Sequence, residues 1–253
     1  MSSLLFLASF AAGMLNAFAG GGSFLTIPAL VALGIPPIAA SATSTVIMLP
    51  GSMSAVFAYR KQLRNLTTRQ PLTQIALTCL IAGLMGTVLL LVTSNQYLIV
   101  LMPWLILSVT CLFALGPRLA DYLQKRQIYN PKAHLLILAF AALLGGYFSG
   151  GLGILLLCAF SLSGSVDFHE MNVLKTLIIC LMNIVSFVVF GLSGIVYWPE
   201  AITMTLGICA GGYLGTRLIL HLPQALLRRL VVVIGSLMTI FWFIKAHVHS
   251  DFF

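Results

Sequence analysis

Apolar positions in this chain run in blocks long enough to cross a lipid bilayer, with polar residues gathered at the block edges. Leu72 to Ser94 and Gln96 to Gly116 hold no charged residue, and about 20 apolar residues suffice for a helix to span the hydrocarbon core. The pattern predicts full-length helices at 38–59, 71–93, 97–116, 170–190, 198–220 and 226–245. Shorter apolar pieces at 3–19 and 22–34, and again at 134–149 and 153–164, flank two glycine-rich interruptions. The first runs from Gly13 through Asn16 to Gly20-Gly21-Gly22-Ser23, and the second is Gly145-Gly146-Tyr147-Phe148-Ser149-Gly150-Gly151-Leu152-Gly153. Glycine runs break helices, and a broken helix in lipid persists only where protein or a polar cavity covers its backbone.

The two halves share one series: a broken pair, then three full spans. Ala82-Gly83-Leu84-Met85-Gly86-Thr87 matches Gly211-Gly212-Tyr213-Leu214-Gly215-Thr216 at an offset of 129, while Gly20 and Gly22 fall on Gly151 and Gly153 at an offset of 131. Such a duplication, with paired breaks, points to an alternating-access carrier. The expected fold is an all-α polytopic membrane protein of two inverted repeats. Each repeat has a glycine-broken helix pair plus three full transmembrane helices, about 8 spans or span-equivalents, and up to 10 if the broken pieces cross. The expected division is repeat 1 at 1–117, a cytoplasmic connecting loop at 118–133, and repeat 2 at 134–253.

Composition agrees. Hydrophobic residues make up 60% and charged residues 7% of the chain, against roughly a quarter charged in soluble proteins. A formal net charge of +8 would suggest nucleic acid in a soluble domain, but the basic residues sit in short connections and report topology instead. Arg60, Lys61, Arg64 and Arg69 mark one cytoplasmic loop, Arg118, Lys125, Arg126 and Lys132 a second, and Arg217, Arg228 and Arg229 a third; Ser94–Gln96 and Ser193–Glu200 hold no Lys or Arg. Inverted repeats place all of these basic residues inside, whereas parallel repeats would put the third group outside. Each break unit then adds no net crossing, and both termini face outward. The N-terminus lacks the basic region of a separate signal peptide.

The chemistry implied is anion binding. Half-helix N-termini at the breaks present backbone N–H groups and partial positive charge, which puts Gly20, Gly21, Gly22, Gly150, Gly151 and Gly153 in a candidate substrate site. Lys175, on one helical face with Asn172 and Thr176, is either an anion ligand or a cation snorkelling to the nearby interface. The equivalent stretch of repeat 1 is Ser41-Ala42-Thr43-Ser44-Thr45, whose hydroxyls either donate to the substrate or bond back to their own helix. Ser41, Thr43 and Ser44 join the candidate set; Asn16 and Asn183 are weaker members, each with the alternative of bridging helices. The carboxylates lie near segment ends, so no mid-span proton or sodium relay stands out. His134 and His169 read as interfacial. The five cysteines stand singly and suggest no metal or redox centre, so no cofactor is expected. Nor is an enzyme, because no catalytic constellation is visible. The partners expected are a small anion and the bilayer, with no nucleic acid and with oligomeric state, a homodimer included, left open.

With those residues in place, the chain resembles the sulfite exporter TauE/SafE family, also called the toluene-sulfonate uptake permeases. The resemblance is carried by Ala19-Gly20-Gly21-Gly22, Pro28-Ala29-Leu30, Leu33-Gly34-Ile35-Pro36 and Ala39–Thr43 in the first half. In the second it is carried by Gly146-Tyr147-Phe148-Ser149-Gly150, Asn172–Lys175, Gly211-Gly212-Tyr213-Leu214-Gly215 and Leu226-Leu227-Arg228-Arg229. It covers nearly the whole chain and departs at Gly150-Gly151-Leu152-Gly153, which lacks the fuller glycine run of many members. It implies a multi-pass permease of the bacterial inner membrane for small anions such as sulfite, sulfonates or other sulfur-containing compounds, with an anion channel on the same repeats as the alternative.

Overall fold

The computed structural model describes residues 2–65, 71–125, 131–161 and 168–219, with scattered positions beyond 231. Among these residues the chain is helical and contains no strand. The helices are α1 (Ser2–Ala19), α2 (Ser23–Ala32), α3 (Pro37–Ala58), α4 (Leu72–Val92), α5 (Asn95–Lys125), α6 (Pro131–Tyr147), α7 (Leu152–Ser161), α8 (Phe168–Ser193) and α9 (Trp198–Ile219). The expected last span at 226–245 lies outside the described residues except at a few positions.

Local chemistry sets the boundaries. Prolines open α3 at Pro37 and α6 at Pro131, where a missing N–H costs nothing. Asn95 supplies a side-chain cap to the first turn of α3, accepting the Ile38 N–H at 3.0 Å. The segment expected as a loop at 118–133 is helical at both ends, because α5 continues to Lys125 and α6 already begins at Pro131.

By length and composition, α3, α4 and residues 170–193 of α8 can cross a membrane. Leu77, Ile81, Met85, Val88 and Val92 on α4 are exposed, an apolar face that water would not tolerate at this size but lipid accepts. The two pieces of each break unit are unequal. At 10 residues each, α2 and α7 rise about 15 Å, half of a ~30 Å hydrocarbon core, so neither crosses alone. Their partners, of 18 and 17 residues, are nearly full spans.

Packing is reciprocal between the halves. α1 lies against α9, and its counterpart α6 lies against α4, the counterpart of α9; α3 packs on α8, which is its own counterpart. Glycines permit the close approaches: a Cβ on Gly13 would meet the backbone of Ile208, Gly211 and Gly212, and one on Gly146 would meet that of Gly83. Equivalent residues also make equivalent bonds. Thr45 and Thr176 donate to the carbonyls of Ser41 and Asn172, and Thr87 and Thr216 to those of Gly83 and Gly212.

Candidate functional site

The two glycine breaks meet. Gly151 donates its backbone N–H to the Gly20 carbonyl at 3.2 Å. Both glycines have positive φ, +73° at Gly20 and +88° at Gly151, a conformation that L side chains avoid. A Cβ on Gly20 would also overlap the backbone of Gly153. Gly20 and Gly153 therefore serve to bring the breaks together, and Gly21, Gly22 and Gly150 are buried around them. Asn16 is half-buried one turn before the first break, its Cβ beside Gly22.

Lys175 joins the same place from α8. Its ammonium donates to the Ala17 carbonyl at 3.0 Å, the Phe18 carbonyl at 3.5 Å and Asn172 Oδ1 at 2.9 Å. Its side chain is 0% exposed, so the snorkelling reading does not hold. A cation against the last carbonyls of a helix is favourably placed for the dipole and satisfies groups that have no intrahelical donor. Lys175 thus caps α1 across the boundary between the halves. Thr176 bonds back to Asn172.

A line of hydroxyls runs along α2 and α3. Ser23 and Ser149 share a hydrogen bond of 2.7 Å, and Thr26 and Ser44 one of 2.6 Å. Ser41 lies one turn from Ser44 at 1% exposure, and its hydroxyl has no hydrogen-bond partner. Phe24 and Phe148 close one side, with ring centroids 6.3 Å apart. Thr43 points elsewhere: its hydroxyl accepts the Tyr197 N–H at 3.0 Å and ties the α8–α9 turn to α3. Beside that tie lies an open cavity of about 700 Å³ lined by Ile38, Ala39, Asn95, Val196, Tyr197 and others. It sits at the helix ends bearing the turns without Lys or Arg.

The sequence-derived residues therefore separate into a break core (Gly20, Gly21, Gly22, Gly150, Gly151, Gly153), a cation capping it (Lys175 with Asn172 and Thr176), and hydroxyls on α3. Ser23, Thr26 and Ser149 belong with them but were not foreseen as site residues. Only the three-residue spacing of Ser23 and Thr26 hinted at a shared face. Asn183 donates to Ser52 at 3.2 Å, a bridge between α8 and α3. His134 is buried in the first turn of α6, with Nε2 3.1 Å from the Ala159 carbonyl, which ties α6 to α7. The side chain of His169 lies outside the described residues. Among the described residues no group of three His, Cys, Asp or Glu could hold a metal.

Comparison with known proteins places the chain among membrane transporters. The family model for the sulfite exporter TauE/SafE matches residues 5–241. A "Probable membrane transporter protein" of Haemophilus influenzae is 29% identical over 238 residues, 93% of this chain and 92% of that protein. The "Probable membrane transporter protein YfcA" of Escherichia coli K12 is 28% identical over 237 residues, covering 93% and 87%. The "Probable membrane transporter protein ORF9" of Sinorhizobium is 28% identical over 242 residues, covering 93% and 90%. No solved structure matches the chain.

Proposed function

The chain belongs to the sulfite exporter TauE/SafE family, and from that premise we propose that it is a secondary transporter of the bacterial inner membrane that moves a small anion by alternating access. Sulfite, sulfonates and related sulfur oxyanions are the substrates that the family description favours. The substrate lies at the meeting of the breaks. The N–H groups of Ser23, Leu152 and Gly153, which start α2 and α7, face its oxygens, with Asn172 and the charge of Lys175 completing the site. Thr43 lines the route in from the outer cavity.

The repeats are inverted in this reading, with both termini outside. Support comes from residues of identical register that touch each other: Gly20 with Gly151, and Ser52 with Asn183, both 131 positions apart. Such self-contacts occur near a two-fold axis. The basic loops favour an axis in the membrane plane over one along its normal.

The observation that carries the proposal is the buried Lys175 ammonium of one half lodged on the broken helix of the other. A buried intramembrane charge is expensive and tends to mark a substrate path. A thermal-shift screen of the purified protein tests it, with sodium salts of sulfite, sulfonates, thiosulfate and carboxylates compared with sodium chloride. A ligand that binds only the folded state stabilises it by an amount that grows with the logarithm of its concentration above Kd, so one anion class raises the melting temperature with concentration and Lys175→Ala removes that rise. Identical melting in every salt would refute the proposal.

A further inference from the structure

The halves differ most where their shared register places a cation. In the second half, Asn172 and Lys175 hold an ammonium against the C-terminal carbonyls of α1, Ala17 and Phe18. At the offset of 131, the counterparts of Asn172 and Lys175 are Ser41 and Ser44, and those of Ala17 and Phe18 are Phe148 and Ser149, at the C-terminus of α6. These counterparts are linked as well. Ser149 bonds Ser23, Ser44 bonds Thr26, and Ser23 and Thr26 stand one turn apart on α2. Ser41 shares the α3 face of Ser44 and holds a buried hydroxyl without a partner, where its counterpart Asn172 holds the ammonium. The end of α6 carries the same partial negative charge as the end of α1, but here no lysine caps it. Neutral hydroxyl and carbonyl oxygens gather instead.

We propose that this cluster binds a sodium ion, in the place where the other half carries the tethered ammonium of Lys175. Broken-helix C-termini and unwound carbonyls are the parts from which transporters build sodium sites. The absence of a carboxylate among these residues fits a monovalent ion better than calcium or magnesium, which recruit carboxylates. The site adjoins the anion at the Ser23–Ser149 bond, so the two charges neutralise each other during transport, and sodium becomes the coupling ion. The sodium site itself takes from the transporter reading only the register correspondence of the halves, while its coupling role rests on the proposed anion site.

The test melts the purified full-length protein at fixed chloride and ionic strength, with sodium, potassium or N-methylglucamine as cation. The melting temperature is expected to rise with the logarithm of sodium concentration and not with potassium. Ser41→Ala/Ser44→Ala loses the sodium rise, while Asn95→Ala, at the cap of α3 outside the site, keeps it. Equal melting in the three salts overturns the inference, as does a sodium rise that survives in the double variant. If the double variant does not fold, the sodium titration of the unaltered protein decides alone. Chloride is constant here, whereas the anion screen holds sodium constant, so failure of one reading is separable from failure of the other.

Discussion

A lysine under protein within a bilayer costs at least about 2.5 kcal/mol on insertion scales, so Lys175 requires compensation, and three oxygens supply it. Lys175→Ala leaves the α1 carbonyls and Asn172 without their donor, at a cost of about 1–3 kcal/mol. Uptake is expected to fall at least tenfold, while Lys175→Arg retains part of it; both are read in membrane vesicles at matched expression. Gly20→Ala meets two obstacles, a positive φ and the Gly153 backbone. The φ alone costs about 1–3 kcal/mol, so the variant gives little monodisperse protein on size exclusion. Lys175 could be singled out in the sequence as a charge near a span. Its role as a cap on α1 was not legible, because its acceptors lie 157 and 158 positions away and are backbone atoms, which carry no residue signature.

At the level of elements, apolar length and the glycine breaks predicted most helix bounds to within a few residues. Pro37 opens α3 and Pro131 opens α6, while Gly34 and Gly194, at φ +85° and +74°, follow α2 and α8. The helical ends of the segment at 118–133 were not legible because Arg118, Asp121 and Lys125 look like loop residues once apolarity ends, yet a helix continues wherever its backbone bonds are internal. The hydroxyl partners were hidden for a different reason: Ser23 with Ser149 and Thr26 with Ser44 are paired by folding across 126 and 18 positions. The cap on α3 yields an element-scale prediction. Asn95→Ala removes the acceptor of the Ile38 N–H and should lower stability by about 1 kcal/mol, or roughly 2–4 °C in melting temperature.

At the scale of the molecule, reciprocal packing of α1 on α9 and α6 on α4 interlocks the halves, so neither buries its broken pair without the other. Inverted repeats with the basic loops inside predict that a C-terminal alkaline phosphatase fusion is active and a matching green fluorescent fusion dark; the opposite pattern would reverse the topology. The central claim is that the joined breaks form a carrier site for a small anion, and uptake by proteoliposomes tests it most directly. Initial rates of labelled sulfite or sulfonate entry, measured against concentration, should saturate and collapse in Lys175→Ala. Rates that rise linearly without limit, or that are unchanged in that variant, would contradict the account.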